Sequence, residues 1–84
     1  MANFRLYFLT FTDTASKTFE FANQVDFFNQ GTNDAWINGR LIEPGVGFSM
    51  QSFPSDIDVT SYEIIFTANN IAGNKVVVTV KQYV

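Results

Sequence analysis

Apolar residues recur along this chain at strand spacing rather than helix spacing. Between Phe4 and Thr12 they fall on both sides of an extended backbone, Phe4, Leu6 and Phe8 on one and Tyr7, Leu9 and Phe11 on the other. Thr18-Phe19-Glu20-Phe21 alternates, and Val25-Asp26-Phe27 resumes the phase after Ala22-Asn23-Gln24. That interruption predicts two short strands with a bend or bulge between them. Val46, Phe48 and Met50 share one face of a further strand. Tyr62, Ile64 and Phe66 read as core-facing, with Ser61, Glu63 and Thr67 toward water. In the last strand Val76, Val78 and Val80 alternate with Lys75, Thr79 and Lys81, while Val77 and Tyr83 leave the outer face partly apolar.

Turn chemistry sits between these runs. Asn38-Gly39 separates Asp34-Ala35-Trp36-Ile37 from Arg40-Leu41-Ile42, which predicts a tight hairpin with positive φ at both central positions, a type I′ turn. Pro44-Gly45 suits a type II turn, Pro presetting φ at the second position and Gly supplying positive φ at the third. Gln30-Gly31-Thr32-Asn33, Phe53-Pro54-Ser55-Asp56 and Asn69 to Asn74 read as loops. Seven or eight short strands at this spacing predict an all-β fold, an antiparallel β-sandwich or small barrel filling residues 1–84 as one domain. No helix of ordinary length, linker or internal repeat is expected.

Length then limits what can hold such a domain together. A chain of 84 residues buries only about 60 to 65% of the surface its unfolded form exposes. Disulfides, a structural metal or oligomerisation usually close the gap. Cysteine and histidine are both absent, so oligomerisation is the expected device. The same absence removes the common nucleophile and base pairs and all thiolate or imidazole metal sites, so no catalytic residue and no cofactor is expected. Net charge is −3, with five cations scattered among eight acids, and no basic stripe suits nucleic acid. The opening Met1-Ala2-Asn3-Phe4-Arg5 shows no signal peptide, and no apolar run reaches membrane-helix length.

Among carboxylates only Asp56 and Asp58 stand close together. Flanking a loop after Pro54, they lack the opposed geometry of a glycosidase pair, and with Ser55 and Thr60 they match no calcium-loop pattern. The expected role is satisfaction of backbone groups where loop becomes strand. Aromatic residues make up 17% of the chain and charged residues 15%, more rings than so small a core can hide. Tyr7, Leu9, Phe11, Phe28, Trp36, Phe53 and Tyr83 fall out of phase with the better-patterned faces of their strands, and they are expected to form an interface. Trp36, with Asp34 and Asn38 on its strand face, also resembles the stacking ring and polar ring of a sugar-binding surface. A carbohydrate-binding module using Trp36 is therefore the alternative function, with a glycan as ligand. An inhibitor or adaptor offering the edge of Phe4 to Thr12 to a partner sheet is a third reading.

The run from Asn29 to Ser49, with Asn29-Gln30-Gly31-Thr32, Ile37-Asn38-Gly39 and Pro44-Gly45 leading to Phe48, resembles a pattern in small β-sandwich virion structural proteins of bacteriophages. Tyr62 to Phe66 and Val76 to Gln82 resemble the closing strands of such modules. The resemblance covers residues 24–84 and implies a non-enzymatic capsid, spike or tail module. Such a part is made in the host cytoplasm, resides in the virion, and associates with copies of itself and other virion proteins. The first 20 residues carry no resemblance, so their strand either completes the sandwich or pairs with a neighbouring subunit.

Overall fold

Side chains alternate across an extended backbone, so each strand can bury one face only if its neighbours bury the same one. The computed structural model, which describes residues 3–51, 57–67 and 71–83, resolves this with eight strands. They are β1 (Phe4–Phe11), β2 (Ala15–Thr18), β3 (Ala22–Asn29), β4 (Ala35–Ile37), β5 (Arg40–Ile42), β6 (Gly47–Gln51), β7 (Ser61–Phe66) and β8 (Val76–Tyr83). One sheet has the order β1-β8-β3-β6 and the other β2-β7-β4-β5. Every ladder is antiparallel. This is the sandwich that the periodicity predicts.

The order follows a simple rule. First pairs with last, second with second-last, and so inward: β1 with β8, β2 with β7, β3 with β6, β4 with β5. Successive pairs go alternately to the two sheets, and β8 beside β3 and β7 beside β4 complete each sheet. A long two-stranded ribbon rolled on itself in this way is a jelly roll. β1 therefore completes the sandwich within its own chain, along the whole of β8 from Phe4↔Tyr83 to Phe11↔Val76.

The core lies between the sheets. Val25 and Phe27 of β3 and Val76, Val78 and Val80 of β8 face Ala35, Ile37, Ile42, Tyr62 and Ile64 from the other side, all buried. Tyr62 links the layers, its ring 5.0 Å from Phe27 and 6.0 Å from Phe19, and Phe27 stacks at 5.1 Å on Phe48.

Both predicted turns are present. Asn38 and Gly39 have φ of 49° and 83°, between strands in register from Ala35↔Ile42 to Ile37↔Arg40. Gly45 has φ of 81°, and Val46 N–H closes its turn on Glu43 O at 3.1 Å. The irregularity after Phe21 is a register shift between Ala22 and Gln24. One difference concerns Thr18 to Phe21, where alternation predicts continuous strand. β2 ends at Thr18 and Phe21 takes φ of 53°, because Phe19 turns into the core and the chain must reverse at once to begin β3. The loop Phe53-Pro54-Ser55-Asp56 lies outside the described residues. In the later loop, Ile71–Gly73 forms one 3-10 turn, the only helical segment among the described residues.

One polar residue interrupts the apolar inner face. Asn29, fully buried at the end of β3, donates through Nδ2 to Asn33 O (2.8 Å) and to Ile42 O (2.9 Å) in the opposite sheet. Its Oδ1 accepts Gly31 N–H at 2.9 Å. Gly31 in turn packs so closely on the Gly73 carbonyl that a Cβ there would overlap it. Asn29→Ala should therefore lower stability by about 2–4 kcal/mol, since buried carbonyls lose their donor. Asn29→Asp should do no better, because it offers an acceptor where donors are needed. Urea unfolding measures both, and a loss under about 1 kcal/mol for either would contradict this account. Gly39→Val has free space around its Cβ, so its cost is conformational alone. It should be about 1–2 kcal/mol, read as a thermal midpoint lower by roughly 4–15 °C.

Candidate functional site

One face of one strand forms an uncovered apolar row among the described residues. Register sets it: Tyr7, Leu9 and Phe11 stand opposite Val80, Val78 and Val76, the buried row of β8, and so they are half-buried and packed against the core. Phe4, Leu6 and Phe8 are left on the outer face, 52%, 58% and 68% exposed. This corrects the expectation that Tyr7, Leu9 and Phe11 form the surface of this strand. Phase separates the two sides of the strand but does not determine which of them faces outward. Both are apolar, and only the pairing partner decides between them.

The rest of the outer sheet is more polar. Lys81 stands beside Leu6 in the ladder and places its Nζ 4.3 Å above the Phe4 ring. Gln24 donates to the Asp26 carboxylate at 3.1 and 3.2 Å. On the opposite face, next to Tyr7, Arg5 Nε donates to Gln82 Oε1 at 3.0 Å. Phe28 is on the outer face and exposed, as its phase predicts, and Tyr83 is half-buried opposite Phe4. Phe53 lies outside the described residues.

Trp36 is on the outer face of the second sheet, because Ala35 and Ile37 on either side of it are buried. It is half-buried, with Leu41 and Ile65 as its cross-strand neighbours. The polar partner that a sugar site would draw on is engaged elsewhere. Asn38 Oδ1 accepts Glu63 N–H at 2.7 Å and its Nδ2 donates to Ser61 O at 3.4 Å. Asn38 thus fixes the hairpin to β7, while Asp34 remains exposed.

A second apolar feature was not anticipated. An open groove of about 480 Å³ is lined by Phe19, Phe21, Ile57 and Val59, with Thr18, Glu20 and Asp58. Ile57 follows directly on residues outside the description. Phe21 is exposed at a positive φ, unusual for a bulky side chain, and its carbonyl accepts Tyr83 N–H at 2.9 Å. Strand periodicity treats Phe21 as an ordinary strand residue, so nothing in the pattern marks it.

Asp56 lies outside the described residues, and Asp58 serves the backbone as expected. Its Oδ1 accepts Thr60 N–H at 2.9 Å and its Oδ2 accepts the Tyr62 hydroxyl. Its own N–H donates to Ala22 O at 2.6 Å. Burial pushes the Asp58 carboxyl up, but hydrogen bonds from Thr60 and Tyr62 outweigh it and hold the group below its ordinary value. Burial and the Asp58 carboxylate together push the Tyr62 hydroxyl well above the usual phenol range, so it donates at any ordinary pH. Among the described residues no group of three or more acidic side chains is placed to hold a metal ion.

No family model matches the chain, and neither a curated protein nor a solved structure shows significant similarity to it.

The depressed carboxyl makes a signed prediction. Its contribution to stability is present above an unfolded carboxyl value of about 4 and is lost as pH falls through the lower folded value. Tyr62→Phe removes one of its donors, so the Asp58 pKa should rise on NMR titration. The variant should be about 1–3 kcal/mol less stable at pH 7, with the deficit shrinking in acid below about pH 4. An unchanged Asp58 titration would show that the phenol does not stabilise the carboxylate.

Proposed function

We propose that the chain is a non-enzymatic structural module of a bacteriophage virion, a capsid-decorating, spike or tail-associated part acting by self-association and docking to other virion proteins. The observation that carries this reading is the exposed apolar row Phe4, Leu6 and Phe8 on one edge strand of the sandwich. Apolar rows of this kind on small domains mark surfaces that another protein covers. Two further supports are independent of it. The jelly roll recurs in viral capsid proteins, although lectins and cupins share it and a fold alone assigns no function. The resemblance of residues 24–84 to small virion modules points the same way.

The sugar-binding alternative draws less support, because Asn38 is spent on β7 and Trp36 is half-buried. Quantitative peptide mass spectrometry on density-purified particles from cells carrying the gene tests the proposal. The chain should be present at a fixed copy number relative to the main shell protein. Recovery only in the soluble lysate would overturn the virion assignment.

A further inference from the structure

We propose that two copies of this chain pair through β1, antiparallel about a twofold axis passing between the two Leu6 residues, and so join two four-stranded sheets into one of eight. The inference rests on the reading of the chain as a self-associating module and gives that association its strand and register.

Ladder geometry comes first. Antiparallel strands direct the backbone groups of alternate residues to alternate sides. Tyr83 N–H and Lys75 O both bond toward β3, so the odd-numbered residues of β8 serve β3 and the even-numbered ones serve β1. Through the register these even residues meet Arg5, Tyr7, Leu9 and Phe11. The N–H and C=O groups of Phe4, Leu6, Phe8 and Thr10 therefore point out of the free edge of the sheet. Three of these four residues, Phe4, Leu6 and Phe8, also carry the uncovered apolar side chains.

The other three edges are guarded. β5 has three residues and includes Arg40, β2 has four and includes Lys17, and β6 has five. β1 has eight, with no proline, and its one charge, Arg5, lies on the face of Tyr7 and Leu9 rather than on the outer one. Shortness is a usual means of keeping edges unpaired, and of the four edge strands β1 alone lacks it.

Charge and side-chain matching then select the occupant and register. With Leu6 opposite Leu6, Phe4 of each copy meets Phe8 of the other, so every exposed apolar side chain of the strand gains an apolar cross-strand neighbour. Shifting one way sets Arg5 against Arg5, two like charges face to face. Shifting the other way sets Phe4 against Thr10. A twofold axis lets one patch satisfy itself, and the resulting sheet has only the short β6 strands as edges. The side chains stand perpendicular to the sheet, so pairing covers their facing flanks and the backbone edge rather than their whole exposed surface. That is below the roughly 1,000 Å² of a stable specific interface. The dimer should accordingly be weak, with a Kd on the order of 10–100 μM.

Sedimentation velocity across a concentration series, with Leu6→Lys and cysteine variants, tests the pairing. The natural chain should dimerise in that range, and Leu6→Lys should weaken dimerisation at least tenfold while leaving the circular dichroism melt unchanged. Under a mild oxidant Leu6→Cys should cross-link readily, since facing Cα atoms in a ladder lie about 5.5 Å apart. Phe8→Cys should not, because its copies are offset along the strands. A chain still monomeric at several hundred micromolar, or equal cross-linking of the two cysteine variants, would overturn the pairing. If that happens while the chain remains at fixed copy number in purified particles, only the pairing falls and the structural role stands.

Discussion

The structure depends on one buried amide. At the end of β3 the chain leaves its sheet, crosses to the other, makes the β4–β5 hairpin and returns as β6. Carbonyl groups meet there that no strand ladder can satisfy, and buried backbone groups without partners are costly. Asn29 supplies what is missing. Its side chain holds Asn33, Ile42 and Gly31, while its backbone N–H and C=O bond Val46 and Gly45. A single residue thus sets how β3, β4, β5 and the start of β6 lie together. Asn33 extends the arrangement by donating to Asn74 Oδ1 at 3.0 Å, which brings in the approach to β8. The apolar core could be filled in several ways, but this crossing tolerates few alternatives.

That dependence gives a physical meaning to the run from Asn29 to Ser49. Asn29 is the connector, and Gly31 is the point where backbone approaches backbone too closely for a side chain. Asn38 and Gly39 hold positive φ in a hairpin fastened to β7. Pro44 and Gly45 return the chain to β3. Each is demanded by how the ribbon folds. A run of this type therefore speaks to architecture first.

The same distinction explains what was legible in the sequence. Local signals were: the two turns, the bulge beside Ala22, and the buried row of β8 are each determined within a few residues. Non-local ones were not. Whether Leu6 or Leu9 faces the core depends on the valines of β8, more than sixty residues away. Asn29 reads as part of a polar turn because its acceptors belong to other segments. Phe21 reads as strand because nothing near it announces the reversal that burial of Phe19 imposes. The absence of histidine and cysteine was informative directly from composition.

Pairing the first strand with the last also has a consequence for synthesis. Arg5 and Gln82, joined by a side-chain hydrogen bond, are 77 residues apart, so the closing ladder cannot form until β8 has been made. At about 5–20 residues per second the nascent β1 spends several seconds beside the ribosome with both its faces uncovered. Contacts of such high order fold slowly, and the most apolar strand is the one that waits longest. Chaperone capture during translation, or docking of one nascent chain on another, would act on this interval.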